Sequence, residues 1–237
     1  MILSAPKKKH SLPFPPKTGG VVKFENTKSH QRYYSQDGTL LPGVTTVLGV
    51  IAKPALIHWA WECGTKGQDY RKVKEQAADI GTIAHFMCEC HVTGSKPDLS
   101  ACSPESVQQA ENSFLKFLEF WDAGKFSSLK SEWRLVSETM RFGGTLDCVA
   151  IDPEERITLI DFKTSKAIHD EYLCQLSAYE KLWNENMPGL GIQRRIIIRI
   201  GKEEKMDLEV RELGNLDKHW NLFQAALALY QAQKALK

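Results

Sequence analysis

Between residues 132 and 200 the chain reads as three strands, a helix and a fourth strand, and the lengths of the links constrain the fold more than any other feature. Segments 132–140, 144–151 and 156–164 are strand-like. The turn Asp152-Pro153-Glu154-Glu155 is too short to cross over a sheet, so the three form an antiparallel meander. Segment 170–186 has helical periodicity and leads to 195–200, which is almost continuously apolar, as a buried strand is. Met206, Leu208 and Val210 alternate with Asp207, Glu209 and Arg211, predicting a half-exposed edge strand. A last helix runs from about residue 216. The predicted core is αβββαβ, an α/β (α+β) fold with a mixed central sheet and helices on both faces.

Upstream, 21–24 and 31–34 read as strands of a hairpin, and Gln36-Asp37-Gly38 as a further turn. Pro42-Gly43-Val44-Thr45-Thr46-Val47-Leu48 opens a helix with Thr45 as its expected N-cap. Lys53-Pro54 breaks it, and a short helix over 55–63 carries Trp59 and Trp61. A long helix over 69–92 stops at Gly94, with Val73, Ala77, Ile80, Ala84 and Met87 as its apolar stripe. Lys96-Pro97-Asp98 reads as loop, and 104–121 as an amphipathic helix burying Phe114, Phe117, Leu118 and Trp121. The expected organisation is a basic flexible tail over 1–20, with no acid before Glu25, followed by one domain over 21–237. Within it, a helical lobe spans about 45–125, and the core about 79–93 and 130–237.

Composition excludes more than it assigns. Apolar residues are 42% and charged residues 25% of 237. No apolar run approaches the roughly 20 residues that span a bilayer, and no leader-like apolar stretch follows the first residues. The expectation is a cytoplasmic protein with no membrane partner. A net charge of +2 does not by itself argue for nucleic acid. Cys63, Cys88, Cys90, Cys102, Cys148 and Cys174 fit no small disulfide framework and read as reduced thiols.

Chemistry concentrates on the predicted meander. Asp147 and Asp161 end adjacent strands, so both carboxylates can reach one hard cation. Lys163 shares the strand parity of Asp161 and projects to the same face. Gly143-Gly144 allows close approach beside Asp147. Two carboxylates, a cation and an ammonium are what phosphodiester hydrolysis needs: an activated water, charge compensation at phosphorus and a stabilised leaving oxygen. Gln175 and Tyr179 share a helix face one turn apart, as do His85 and Glu89 on the long helix. Neutral imidazole is a common metal ligand, and Glu89 is positioned to ligate or to support it. Lys53, Lys66, Arg71, Lys72 and Lys74 are candidates for a basic lining along a nucleic-acid strand, and Thr164, Ser165 and Lys166 for contacts beside the site.

Taken in order, Gly81-Thr82-Ile83-Ala84-His85, Gly144-Thr145-Leu146-Asp147, Asp161-Phe162-Lys163 and Gln175-Leu176-Ser177-Ala178-Tyr179 resemble the PD-(D/E)xK phosphodiesterase superfamily in its RecB-type nuclease branch. Pro42-Gly43-Val44-Thr45 is similar to the Pro-Ser-Val-Thr opening of phage and mitochondrial members, with Gly43 in place of Ser. The resemblance covers roughly residues 40 to 200. It implies a restriction-endonuclease-like core, with Mg or Mn held by His85, Asp147, Asp161 and the Phe162 carbonyl. It also implies Lys163 as catalytic lysine, with Gln175 and Tyr179 organising the site. Iron–sulfur relatives carry three cysteines after the Gln-x-x-x-Tyr helix; here Cys174 is the last, so no such cluster is expected. The implied activity is a DNA exonuclease preferring single strands, in phage-type recombination, replication or repair and with partner proteins from that machinery. A structure-specific endonuclease of the same fold and an inactive nucleic-acid-binding accessory protein are the alternatives.

Overall fold

The computed structural model describes residues 19–25, 32–203 and 208–236. In chain order the elements are β1 (Val21–Lys23), β2 (Tyr33–Tyr34), β3 (Leu40–Leu41), α1 (Val44–Leu48), α2 (Pro54–Thr65), α3 (Tyr70–Thr93), β4 (Lys96–Asp98) and α4 (Pro104–Gly124). Then come β5 (Ser127–Ser137), β6 (Phe142–Ile151), β7 (Ile157–Lys163), α5 (Asp170–Asn186), β8 (Arg194–Arg199), β9 (Glu209–Leu213) and α6 (Asp217–Ala235). The basic tail expected over 1–20 lies outside the described residues except for Gly19 and Gly20, as does Met206 of the expected edge strand.

The central sheet has the order β5-β6-β7-β8-β9. β5, β6 and β7 are the antiparallel meander, β8 lies parallel to β7 across α5, and β9 closes the edge antiparallel to β8. This is the predicted mixed sheet in an α+β fold. Strand alternation divides the core in two. Val149, Leu159 and Ile197 face α1, α5 and α6, packing with Leu176, Trp183 and Phe223. Cys148, Ala150, Ile160, Ile196 and Ile198 face α3 and α4, packing with Cys88, Phe117 and Trp121.

Several upstream readings change. β1 does not pair with β2: it runs parallel to β4, so Lys96-Pro97-Asp98 is a strand rather than a loop. β2 instead pairs with β3 around the Gln36-Asp37-Gly38 turn. Both short strands follow their long-range packing, since Phe24 buries against Phe86 on α3. Thr45 is not the cap of α1. Gly43 is, without a side-chain bond, because that stretch is held from outside: the Pro42 carbonyl accepts from Gly143 N–H at 2.9 Å. α1 then buries Val44, Val47 and Leu48 in the same core as α5 and α6. Asp69 caps α3 through the Arg71 N–H, and Gly94 ends it in the left-handed region at φ 73°. Of the predicted stripe, Ile80, Ala84 and Met87 are buried and Val73 is half-buried, whereas Ala77 is exposed. The first turns of α3, together with α2, therefore stand away from the core.

Candidate active site

The site forms where β6 and β7 separate. Their ladder runs from Ile151↔Ile157 to Cys148↔Ile160 and stops. At the next position Asp147 replaces main-chain pairing with its side chain, whose Oδ2 accepts from Phe162 N–H at 2.8 Å. Asp147 is thus mid-strand in β6, not at its end, and comes beside Asp161 because the pairing ends there. Lys163 Nζ is 2.5 Å from Asp161 Oδ2, so the two share a face as their parity requires. Otherwise both Asp161 oxygens are buried with no directed hydrogen bond. Burial, followed by the Asp147 charge, outweighs the pull of Lys163 and raises the Asp161 pKa. Asp147 is raised by burial against the opposing effects of Lys163 and the Phe162 N–H. Burial works against the Lys163 ammonium, but Asp161 and Asp147 prevail and hold it protonated. Its Nζ also lies 5.1 Å from the centre of the Tyr172 ring.

From the other side α3 brings His85, whose Nδ1 is 3.9 Å from Asp147 Oδ2. Burial, with the Lys163 charge adding to it, pushes the imidazole down to about 4, so it is neutral and keeps a lone pair to donate. The Phe162 carbonyl bears on this same imidazole and works weakly against that drop. Glu89, one turn on, has no side-chain hydrogen bond or ion pair among the described residues; its charge acts on Glu132.

The sequence pattern does not single out Glu132. It sits on β5 with φ 46°, a left-handed backbone that a non-glycine residue in a strand rarely takes. Its neighbours pair as Ser131↔Cys148 and Trp133↔Leu146, so it lies across from Asp147 at a gap in the ladder. One ligand atom each from His85, Glu132 and Asp147 fall within 4.8 Å of one another, a spacing that could hold a metal ion; Asp161 stands outside this trio. Burial, then Asp147 and Glu89, push the Glu132 carboxyl well above the usual range. Two carboxylates crowded this closely, with a neutral imidazole among them, have the chemistry to take a hard or borderline divalent cation. The available signal was an acid on the strand preceding the Asp147 strand. A bulge between Ser128 and Lys130 shifts the register, and parity alone does not reveal it.

Gln175 Nε2 donates to Tyr179 Oη at 2.6 Å within the buried face of α5. The glycine pair explains how this ring reaches the site. A Cβ on Gly144 would lie 2.7 Å from Tyr179 Cε1, and one on Gly143 2.4 Å from Tyr33 Cγ, so two aromatic rings rest directly on β6. Tyr33 Oη pairs with Thr145 Oγ1 at 2.9 Å. A cleft of about 510 Å³ opens over these groups, bounded by Thr45 and Thr46 of α1, by Ala77, Ala78 and Gly81 of α3, and by Thr164.

The basic candidates are less concentrated. Lys53 is tied to Glu171 at 2.7 Å and is not a free lining cation. Lys66, Arg71, Lys72 and Lys74 are exposed on the α2–α3 corner, beyond the residues that bound the cleft, and Arg71 rests over the Tyr70 ring. Thr164 borders the cleft, whereas Ser165 and Lys166 border a second cavity. Among the described residues no helix is long and apolar enough to cross a membrane.

No protein-family model matches the chain, and no curated protein does. Among solved structures it is similar to a presumed exonuclease from Eubacterium rectale, at 10% identity and a TM-score of 0.35, over 65% of this chain and 62% of that one. It is also similar to the protein SSO0001, at 11% identity and a TM-score of 0.33, over 65% of this chain and 74% of that one. The chain thus spans less than two thirds of the length of the first. Similarity this remote says nothing of activity.

Proposed function

We propose that this chain is a metal-dependent deoxyribonuclease that hydrolyses phosphodiester bonds, a member of the PD-(D/E)xK superfamily, working from the ends of single-stranded DNA. One observation carries the reading. Asp161 is fully buried with Lys163 as its one polar side-chain partner among the described residues, next to three further groups spaced for a cation. A fold keeps such a carboxylate at a cost, and the donor set fits a hard divalent ion.

His85, Asp147 and Glu132, with Asp161, would hold Mg or Mn. A cation there supplies an activated water and charge compensation at phosphorus. The chain's own residues do the rest. Lys163 would face the phosphate oxygens and balance charge there. Asp161 and the Tyr172 ring keep the Lys163 ammonium in place. The Tyr179 hydroxyl, held well above its ordinary pKa by burial, remains a phenol and, fixed by Gln175, can donate to the DNA backbone. Glu89 tunes Glu132. Lys66, Arg71, Lys72 and Lys74 guide the incoming strand past α2 and the first turns of α3. The helical stretch about 45–125 supplies this entrance, and the 79–93 and 130–237 segments supply the chemistry. No iron–sulfur cluster takes part. Its setting is DNA recombination, replication or repair.

The test uses end-labelled linear and closed circular DNA, single- and double-stranded, with Mg, Mn or chelator. Linear single strands should be shortened to small products in either metal, and closed circles should survive because a strand must thread from a free end. Replacing Lys72 and Lys74 with Glu should weaken DNA binding and flatten its salt dependence. Nicking of circles would instead make this an endonuclease of the same fold. DNA binding with no cleavage in any metal would refute the hydrolase reading.

A further inference from the structure

The cleft does not end at Thr164. A hollow of about 320 Å³ lined by Lys163, Tyr172, Ser165 and Lys202 continues from it, sharing Ala77, Ala78, His85 and Thr164. This leads to a second cavity of about 420 Å³ between α3, α4 and the segments that follow β7 and β8. Gln76, Ile80, Gln109, Lys166 and Lys202 line it, and the exposed Glu203 is the one acid among its lining residues.

Lys202 is the unusual group. Arg194, Arg195 and Arg199 each pair with a carboxylate, and Lys53 does the same. Lys202 has no carboxylate partner among the described residues; its Nζ donates to the Ala77 carbonyl of α3. It is half-buried, and that burial lowers its pKa. Its backbone is fixed: Asn112 Nδ2 donates to the Lys202 carbonyl at 3.1 Å and Ser113 Oγ to the Gly201 carbonyl at 3.0 Å. A positioned, partly desolvated ammonium without a counter-charge is one that an anion stabilises. Gln76 and Gln109 add amide donors and acceptors, which suit a base edge without committing to one base. Ile80 and Val73 give the cavity an apolar wall.

Resting on the hydrolase reading above, we propose that this cavity is a nucleotide subsite. It takes one nucleotide of the strand next to the cleaved phosphodiester, with Lys202 and Lys166 on its phosphate and Gln76 and Gln109 on its base edge. Its volume falls within the range of small-ligand pockets. Lys163 and Lys202 flank Thr164, so one strand can meet both lysines in turn. Lys202 is then a positioning residue for substrate, and occupancy of the subsite sets how far the strand extends beyond the reacting phosphate.

The experiment has two parts. Thymidine 5′-monophosphate is titrated into the full chain in chelator, following side-chain amide signals of Gln76 and Gln109 by NMR. Those signals should shift, and Lys202→Met or Gln109→Ala should weaken binding roughly tenfold each. Steady-state cleavage of a short single strand should show KM raised roughly tenfold in Lys202→Met with a much smaller change in kcat, and Lys202→Arg should restore most of it. If Lys202 only braced α3, kcat and melting temperature would fall together and Gln109→Ala would leave KM alone, which would overturn the proposal. Nucleotide shifts confined to the main cleft would overturn it too. Cleavage that proceeds with unchanged KM in these variants sinks the subsite and leaves the hydrolase. Nucleotide binding at Gln109 in a protein that cleaves nothing does the reverse.

Discussion

The two ends of the β6–β7 hairpin each bury an aspartate, and the two are treated in opposite ways. At the turn, Asp152 is 3% exposed. Its Oδ1 accepts from the N–H groups of Glu154 and Arg156 at 3.0 and 2.9 Å, and its Oδ2 from Arg156 Nε and Arg194 Nη1 at 2.7 and 2.8 Å. At the other end Asp161 is 0% exposed and has only the Lys163 ammonium beside it. Burial pushes both carboxyls up. At Asp152 the Arg156 N–H and the two guanidiniums outweigh it and hold the group at about 2. At Asp161 nothing does, and the pKa stays raised. Depth therefore does not distinguish a functional acid from a structural one; the supply of donors does. Asp152 fastens strands, whereas Asp161 is held ready for a charge that the fold itself does not provide.

The largest effects should separate the pair cleanly. Asp161→Asn should lower cleavage by roughly a thousandfold or more, with the protein still folded, because the amide keeps the shape of the carboxylate beside Lys163. Asp147→Asn and Lys163→Ala should lose as much, and combining Lys163→Ala with Asp161→Asn should cost little further, since the groups act as a unit. Asp152→Asn should do the opposite. Cleavage should persist, while the unfolding free energy in urea falls by about 1–2 kcal/mol, since Arg194 and Arg156 lose Asp152 but keep Glu212 and Glu154. Lost cleavage in a fully stable Asp152→Asn protein, or an unfolded Asp161→Asn protein, would break the contrast.

A metal should sharpen it. If the carboxylate end receives a cation, saturating Mn or Mg should raise the unfolding free energy, by about 2.7 kcal/mol at a hundred times the dissociation constant. The gain should shrink in Asp161→Asn and Glu132→Gln and survive in Asp152→Asn. Differential scanning calorimetry with metal and with chelator measures it. Equal gains in all three variants would place the cation elsewhere.

What the sequence discloses follows the same division between local and distant causes. α5 is found at 170–186, as expected, because its signals lie within it and its flanks. The meander is legible because a four-residue turn permits no alternative. Asp147, Asp161 and Lys163 can be picked out because charges within apolar strands stand out, although Asp147 lies in the middle of β6 and not at its end. Glu132 cannot, since its orientation depends on a bulge and a positive φ that no residue nearby announces. Lys53 looks like a free cation because Glu171 is 118 positions away. The parallel pairing of β1 with β4 joins segments some 75 residues apart, and the short strands carry no mark of their partner. Asp152, read as a turn residue, gives no hint of Arg194, which arrives from β8.

The smallest effect is also the most specific to the structural end. The Asp152 pKa is lowered from 3.8 to about 2. A carboxyl lowered on folding stabilises the folded state above its unfolded pKa, and that contribution is lost as the pH falls toward the folded value. The window is therefore from about pH 4 down to about pH 2. The shift alone would be worth somewhat over 2 kcal/mol. Arg156 is partly exposed, so solvent screening brings the expectation to about 1–2 kcal/mol. Glu209 and Glu212 are lowered as well, so the wild-type curve by itself does not isolate Asp152. The difference between wild type and Asp152→Asn removes the Glu209 contribution, and in an Asp152→Asn, Glu212→Gln background set against Glu212→Gln it removes that of Glu212, which shares Arg194 with Asp152. Urea midpoints within each pair from about pH 5 to pH 2 should converge by that amount. Curves that stay parallel would mean that the ionised carboxylate does not fasten this end of the hairpin. Asp161 would then have lost the reference against which its missing donors count.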